Sequence, residues 1–457
     1  MNNGCPCRSL NVSIPLSGHG QRACPHRGSQ HRHTAHRRLA ELVNSDGNVR
    51  PGRSSPKARS PAQESTVKIL FPIQPAYGHY HPLAPLARQL QFLGHDVKFA
   101  TSAAFASVVA RNGFDVLELG SNWLESEAGA AFPEMNTMSL VEIQQYIFDH
   151  VFASVTSGVM ARDIVHHAQV WKPDLIVREP YEFGGYVAAQ HLGIPHVTAG
   201  IGVFFSPDYL STRIQRPLDE LRRSFGLPED PGLTQLLGQG YLHFLPPSIA
   251  PVPALDQVFA ARPPVFDSTE PAGVDARPDW WHQMPHDRTV LVTLGTVFHR
   301  ADGLLQRLVQ ALAGEPYNVV ATCGRNVDPA SFGSLPAHIR VEPYVPLPAV
   351  LSSCDVLVSH AGYNTVISGL TFGVPQVLVP LTADQPMNAA ALNAAGVGIT
   401  LDHLHLSADG VRAAVRQALE DTAMRRRAWK ICREIEQMPG QDAAAEWVQH
   451  ISRFVPT

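Results

Sequence analysis

The sequence predicts an α/β protein of two Rossmann-like units, and three observations predict it. A strand–loop–helix–strand pattern runs from Val67 to Ala100, a second strand–turn–helix–strand pattern runs from Asp355 to Pro380, and a Pro-rich passage from Pro246 to Pro285 lies between them. The chain of 457 residues exceeds one ordinary core, so two domains of about 150 to 200 residues are expected. Apolar residues at 44% and charged residues at 17% describe a soluble globular protein. No apolar run reaches the roughly 18 residues of a membrane span. The formal charge of −4 hides an asymmetry, because residues 1–64 hold ten Lys and Arg against Glu41, Asp46 and Glu64. The remainder is acidic, which argues against nucleic acid as a partner.

Residues 1–64 are rich in Arg, His, Ser, Pro and Gly without hydrophobic periodicity, so disorder is expected there. They lack the apolar core of a secretory signal; their Arg/Ser-rich, acid-poor composition is compatible with a transit segment or with an extended start site. Cys5, Cys7 and Cys24 stand near His26, His31, His33 and His36 but meet no zinc-finger spacing, so a tail is preferred to a metal site. Cys323, Cys354 and Cys432 are isolated, as reduced thiols of a cytoplasmic protein are.

Val67–Phe71 reads as the first strand, and a loop leads to His79-Tyr80-His81-Pro82. Leu83, Leu86, Ala87, Leu90 and Leu93 form a helical stripe ending at Gly94, before a strand at Val97–Ala100. Polar residues thus fall at a strand's carboxyl end, where open α/β sheets bind ligands. From Gly120 to Trp171 the pattern loosens into helical segments carrying scattered aromatic and Met residues. Pro173–Pro180 contains a strand ending at Glu179; Gly184–His191 is a helix and Pro195–Thr198 a strand. The second unit opens with a strand at Thr289–Leu294 followed at once by Gly295-Thr296. A helix at Leu304–Ala313 and a strand at Asn318–Thr322 come next, and Ser407–Glu420, Ala423–Met438 and Ala443–Phe454 read as helices.

The stretch from Asp355 carries the most chemistry. An apolar strand breaks into His360-Ala361-Gly362-Tyr363-Asn364-Thr365, a helix resumes through Thr371, and Gly373-Val374-Pro375 ends it. Free N–H groups at such a helix start collect negative charge beyond a strand's carboxyl end. The loop after the next strand adds Asp384 and Gln385. An anion site, a His beside it and an Asp-Gln pair about a sugar's width away point to a nucleotide diphosphate carrying a hexose.

This stretch resembles the donor signature H-x-G-x-N/G-T…G-x-P…P…DQ-x-x-N-A of GT-B-fold glycosyltransferases, in the family of plant secondary-metabolite and bacterial antibiotic (macrolide-type) enzymes. GHYHPLAPLARQLQFLGHDV, from Gly78 to Val97, is similar to that family's GHxxPxxxLAxxLxxxGHxV, whose first His is the catalytic base. The resemblance implies two facing Rossmann-like domains with a cleft between them. It divides the chain into a tail (1–64), an acceptor domain (65–262), a linker (263–288), a donor domain (289–440) and a C-terminal helix (441–457) that packs back on the first domain. Carried over residue by residue, it makes His79 the base. An acceptor hydroxyl has a high pKa and needs such a base, and a carboxylate on the other ring nitrogen fixes its tautomer; Glu179 is the candidate, where relatives carry Asp. The donor residues implied are Gly295, Thr296, Arg325, Tyr344, Val345, His360, Gly362, Asn364, Thr365, Ser368, Asp384 and Gln385. Tyr344 can stack on the base, and Leu347 replaces a polar residue, so backbone groups are left to read it. Tyr77, His81, Trp123, Tyr146, Phe152 and Phe204 are the acceptor-pocket candidates, with core packing as their alternative role.

One departure bears on the donor. Many relatives carry a Glu eight residues after the donor His, for the ribose hydroxyls, and this chain has Ser368. A deoxyribose has no 2′-hydroxyl to satisfy, so dTDP is favoured over UDP and a deoxysugar over an ordinary hexose. An inverting transferase is expected, with a small apolar natural product as acceptor, no cofactor beyond the nucleotide sugar, and no metal, since no D-x-D triplet stands on a donor loop. It is expected as a monomer or homodimer. A UDP-hexose transferase, an idle activator or scaffold homologue, and a sugar-nucleotide epimerase of the same fold are the competing readings.

Overall fold

Short runs rich in Val, Ile, Leu and Phe form two parallel sheets in the computed structural model, which describes residues 66–265, 277–295, 303–324 and 327–453. The basic tail, Thr296 and Arg325 lie outside the described residues. The first sheet contains β1 (Lys68–Pro72), β2 (Asp96–Thr101), β3 (Asp115–Glu118), β4 (Leu175–Arg178), β5 (His196–Ala199), β6 (Tyr241–His243) and β7 (Val258–Ala260). Its order is β3-β2-β1-β4-β5-β6-β7, with Ile69 in register between Val97 and Leu175. The second contains β8 (Thr289–Thr293), β9 (Asn318–Thr322), β10 (Ile339–Glu342), β11 (Val356–Ser359), β12 (Gln376–Leu378) and β13 (Gly398–Thr400), in the order β10-β9-β8-β11-β12-β13. Helices cover both faces, which is why the central strands are buried throughout and read as unbroken apolar runs.

In each sheet the winding reverses once, between β1 and β4 and between β8 and β11. A crevice opens at such a reversal, beyond the carboxyl ends of the strands. The helices that matter to it are α1 (Tyr77–Tyr80), α2 (Ala84–Phe92), α3 (Ser157–Trp171), α4 (Phe183–Leu192), α5 (Tyr363–Thr371), α6 (Gln385–Ala394) and α7 (Gln441–Arg453). The last of these lies against α2. It buries Ala444, Ala445, Val448 and Ile451, and Trp447 stacks on Phe259 with ring centroids 5.7 Å apart.

Three local features differ from the sequence reading. The Pro-rich passage is not wholly a connection, because Val258–Ala260 pairs with β6 as the edge strand β7. Its prolines stand outside the paired residues, so no ladder N–H is lost. The segment before His79 closes into the single turn α1 rather than remaining a loop. Ile147–Thr156 is a π-helix continuous with α3, a winding that the 3.6-residue period does not encode.

Candidate active site

His79 lies on α1, just past the end of β1, and is 6% exposed. Its Nδ1 is 2.9 Å from Oε1 of Glu179, the residue that follows β4 across the winding reversal. Glu179 is fully buried, and its carboxylate is fixed by backbone: the Tyr181 amide donates to Oε2 at 2.6 Å and the Gln74 amide to Oε1 at 3.4 Å. Behind it the buried guanidinium of Arg178 donates to the carbonyls of Glu179 (2.9 Å), Pro180 (3.2 Å), Glu182 (3.2 Å) and Leu236 (2.6 Å). The turn bearing Glu179 is therefore braced from within. Nε2 of His79, on the other side of the ring, is 3.6 Å from Oε2 of Glu125. Burial alone pulls the imidazole pKa down, but the negative charges of Glu179 and Glu125 beside it outweigh burial and hold the pKa at about 10.

His360 stands at the reversal of the second sheet, just past β11, the strand that corresponds to the β4 of Glu179. Its ring sits between two glycines. A Cβ on Gly295 would come within 2.6 Å of it, and one on Gly362 would also strike it. Gly295 has φ +72° as well, so only glycine suits that turn. Burial lowers the His360 pKa to about 4. No side chain caps α5, which starts at Gly362, so its N-terminal dipole faces the crevice. Ala361 and Ala383 both adopt left-handed backbone, φ 67° and 58°, a strain that other contacts must hold in place. Asn388 on α6 supplies them: its Nδ2 donates to the Ala361 carbonyl at 3.0 Å and to Oδ2 of Asp384 at 2.7 Å. Burial raises the Asp384 pKa to about 6 despite that bond. Gln385 turns its amide oxygen inward, accepting from the amides of Leu381 (2.8 Å) and Thr382 (3.2 Å). Ser368 donates to the Asn364 carbonyl at 2.7 Å, and Val345 is buried against Trp281, Leu351 and Phe372.

The two crevices face one another and touch. Asn364 Nδ2 reaches the carbonyl of Gly78, beside His79, at 3.5 Å. Gln144 donates to the Ala383 carbonyl at 3.2 Å, and the Tyr363 hydroxyl to the Phe244 carbonyl at 3.2 Å. Asp384 lies close enough to His79 for their charges to interact.

Aromatic rings wall the His79 side. Phe152 and Tyr181 each stand edge-on to the imidazole at 5.9 Å, and Phe148 and Phe205 extend the row. Of the expected acceptor residues, Phe152 is therefore at the base. Trp123 packs behind it on Phe132, which also meets Tyr146. Phe204 lines a narrow crevice with Arg178, Tyr181, Phe205 and Tyr241. Tyr77 and His81 instead pack with each other, Tyr77 also against Phe105. The sequence reading did not pick out Glu125 or Tyr181; it placed Phe148 and Phe205 only among the aromatic residues of the acceptor side and gave Asn388 no role of its own. Asn388 did have a signal, as the Asn of the DQ-x-x-N-A run.

Two family descriptions match this chain: erythromycin biosynthesis protein CIII-like, N-terminal domain, over residues 88–295, and the C-terminal domain of the same family over residues 306–451. The aclacinomycin-T 2-deoxy-L-fucose transferase of Streptomyces galilaeus is 30% identical, over 82% of this chain and 93% of its own. The TDP-daunosamine transferase DnrS of Streptomyces peucetius is 29% identical, over 84% of this chain and 97% of its own. The crystal structure of the glycosyltransferase SnogD from Streptomyces nogalater superposes with a TM-score of 0.66 at 26% identity, covering 85% of this chain and all of that one.

Proposed function

The chain belongs to the erythromycin biosynthesis protein CIII-like family and is a GT-B-fold glycosyltransferase, and from that premise we propose that it moves a deoxyhexose from dTDP to a hydroxyl of a small apolar natural product, with inversion. The observation that carries this reading is the closed cleft itself, where the His79–Glu179 pair and the Asp384 carboxylate face the same space and Asn364 of the donor helix meets Gly78.

In this reading Glu179 holds the Nδ1 proton, so Nε2 takes the proton of the acceptor hydroxyl. The freed oxygen attacks the anomeric carbon from the face opposite the diphosphate. That C–O bond breaks, and the charge on the leaving diphosphate falls to His360 and the uncapped start of α5, at Gly362, Asn364 and Thr365. His360 is neutral before the donor arrives, and an adjacent diphosphate raises its pKa. Asp384 and Gln385 hold sugar hydroxyls, Gly295 leaves room for the phosphates, and Tyr344 and Val345 carry the base. The aromatic row of Phe148, Phe152, Tyr181 and Phe205 suits an apolar acceptor. Support for dTDP comes from Ser368, whose hydroxyl is committed to its own helix and offers no carboxylate to a ribose 2′-hydroxyl. The deoxysugar is favoured by the activities of the two relatives above.

Thermal stabilisation by dTDP and by UDP, side by side, tests the donor. A ligand at about a hundredfold excess over its Kd adds roughly 2.7 kcal/mol to the native state. The larger shift is expected with dTDP. A larger shift with UDP returns the donor to a UDP-hexose, and no shift with either brings the idle-scaffold reading forward. The anomeric configuration of the product, read by NMR coupling constants, tests inversion.

A further inference from the structure

Among the described residues, Glu125 is the one carboxylate at the candidate base that the proposed mechanism leaves without a task. It begins a single 3₁₀ turn, Glu125–Glu127, and its amide donates to the Pro75 carbonyl at 3.3 Å. Pro75 belongs to the β1–α1 connection, four residues before His79. The two residues are therefore tied to one segment. The side chain, 22% exposed, approaches the imidazole from the side opposite Glu179, with Oε2 at 3.6 Å from Nε2. That is ion-pair reach, longer than the 2.7–3.2 Å of a direct N–H···O bond. Nε2 is also the nitrogen that has to take the acceptor's proton. A hydroxyl oxygen brought within hydrogen-bond distance of it arrives on the side that Glu125 holds.

We propose that Glu125 is a displaceable counter-ion of His79: it keeps the imidazole charged while the acceptor site is empty and gives way to the acceptor hydroxyl, so that the base becomes active only with acceptor in place. The proposal rests on the reading of His79 as the base. Its consequence is protection of the donor. A neutral His79 facing a bound nucleotide sugar would take a proton from water, and the water oxygen would attack the anomeric carbon as the bond to the diphosphate breaks. An imidazolium has no lone pair on Nε2 and cannot do this. When acceptor enters, the Nε2 proton leaves through the Glu125 carboxylate to solvent, and the same nitrogen receives the hydroxyl proton. Among the described residues, the other groups against His79 are Glu179 from the loop after β4, Asp384 from the start of α6, and the ring of Tyr181, whose hydroxyl burial keeps neutral. Phe152 of the π-helix is uncharged. Glu179 stays in place whatever the acceptor does, so the change of charge state falls to Glu125. The raised pKa of His79 in the empty site agrees with this arrangement.

Glu125→Gln keeps the size of the side chain and removes its charge. The His79 ring resonance, assigned by its loss in His79→Gln, is followed against pH by NMR in the wild-type and E125Q chains without ligand. A fall in its midpoint of about one pH unit or more is expected in E125Q, which is a roughly tenfold larger neutral fraction. In parallel, dTDP release from dTDP-glucose is measured without acceptor, and about a tenfold faster release from E125Q is expected near neutral pH. An unchanged His79 midpoint overturns the proposal. A lowered midpoint with no faster release, in a chain that dTDP-glucose stabilises against heat, overturns the protective role. A lowered midpoint in a chain that dTDP-glucose does not stabilise supports the counter-ion and overturns the donor assignment instead.

Discussion

His79 and His360 flank the winding reversals of their sheets from opposite sides, after β1 and after β11, and their surroundings drive them to opposite charge states. Each follows a strand that flanks the winding reversal of its sheet, and each is nearly buried. His79 meets carboxylates on both nitrogens and is held charged, with its pKa at about 10. His360 is packed between two glycines with a helix N-terminus beside it, and burial brings its pKa to about 4. Position in the fold therefore supplies the place of a functional histidine, and the neighbours supply its chemistry. The difference also suits the proposed roles. The acceptor histidine sheds a proton when substrate displaces Glu125, whereas the donor histidine gains positive character when a diphosphate arrives.

Substitutions that affect one crevice and spare the other put this division to the test. His79→Ala is expected to lower kcat by about 10²–10⁴, the usual contribution of a general base, while dTDP stabilises the variant as it does the wild type. Lost dTDP stabilisation would merge the two sites into one. His360→Ala removes a group aimed at the leaving diphosphate. A loss on the order of 10² in kcat is expected, with weaker dTDP binding and an unaltered NMR titration of His79. Gly295→Ala brings a methyl against the His360 ring at a left-handed backbone position; it is expected to cost about 1–3 kcal/mol in urea denaturation and to weaken dTDP binding. Ser368→Glu places a carboxylate on the turn of α5 after Asn364 and is expected to move the UDP/dTDP affinity ratio about tenfold toward UDP, read by calorimetry. An unchanged ratio would remove Ser368 from donor selection.

How much was legible follows the same division. The strands around both crevices were readable because helices cover both faces of each sheet, leaving continuous apolar runs such as Val356–Val358. The donor loop was readable because its residues are close in sequence: His360, Gly362 and Asn364 lie on one turn, and Asp384 follows the next strand. The base side was only partly readable. His79 announced itself at a strand end, but Glu125 reaches it from a loop 46 positions away with no periodic pattern around it. The aromatic wall was scattered for a physical reason. Phe148 and Phe152 stand on a π-helix, where the spacing of a face departs from the 3.6-residue rule used to recognise it. Strand β7 was hidden by prolines that flank it without interrupting it.

The two histidines also act on stability against pH, and there with opposite sign. A folded His79 retains its proton between the ordinary 6.5 and about 10, where the unfolded chain has released it. Its contribution is therefore complete below the ordinary histidine pKa and is lost as pH rises toward 10. A folded His360 stays neutral between about 4 and 6.5, where the unfolded chain binds a proton. It therefore costs stability as pH falls through that window. Urea midpoints compared at about pH 5, 7 and 9 for the wild type, His79→Gln and His360→Gln separate the two. His79→Gln should flatten the decline from 7 to 9, and His360→Gln the decline from 7 to 5. Saturating dTDP should flatten the acid side of the wild type and of His79→Gln but not of His360→Gln, because a diphosphate beside His360 restores the proton that burial denies it. An acid side unchanged by dTDP would detach His360 from the diphosphate and leave its burial as packing.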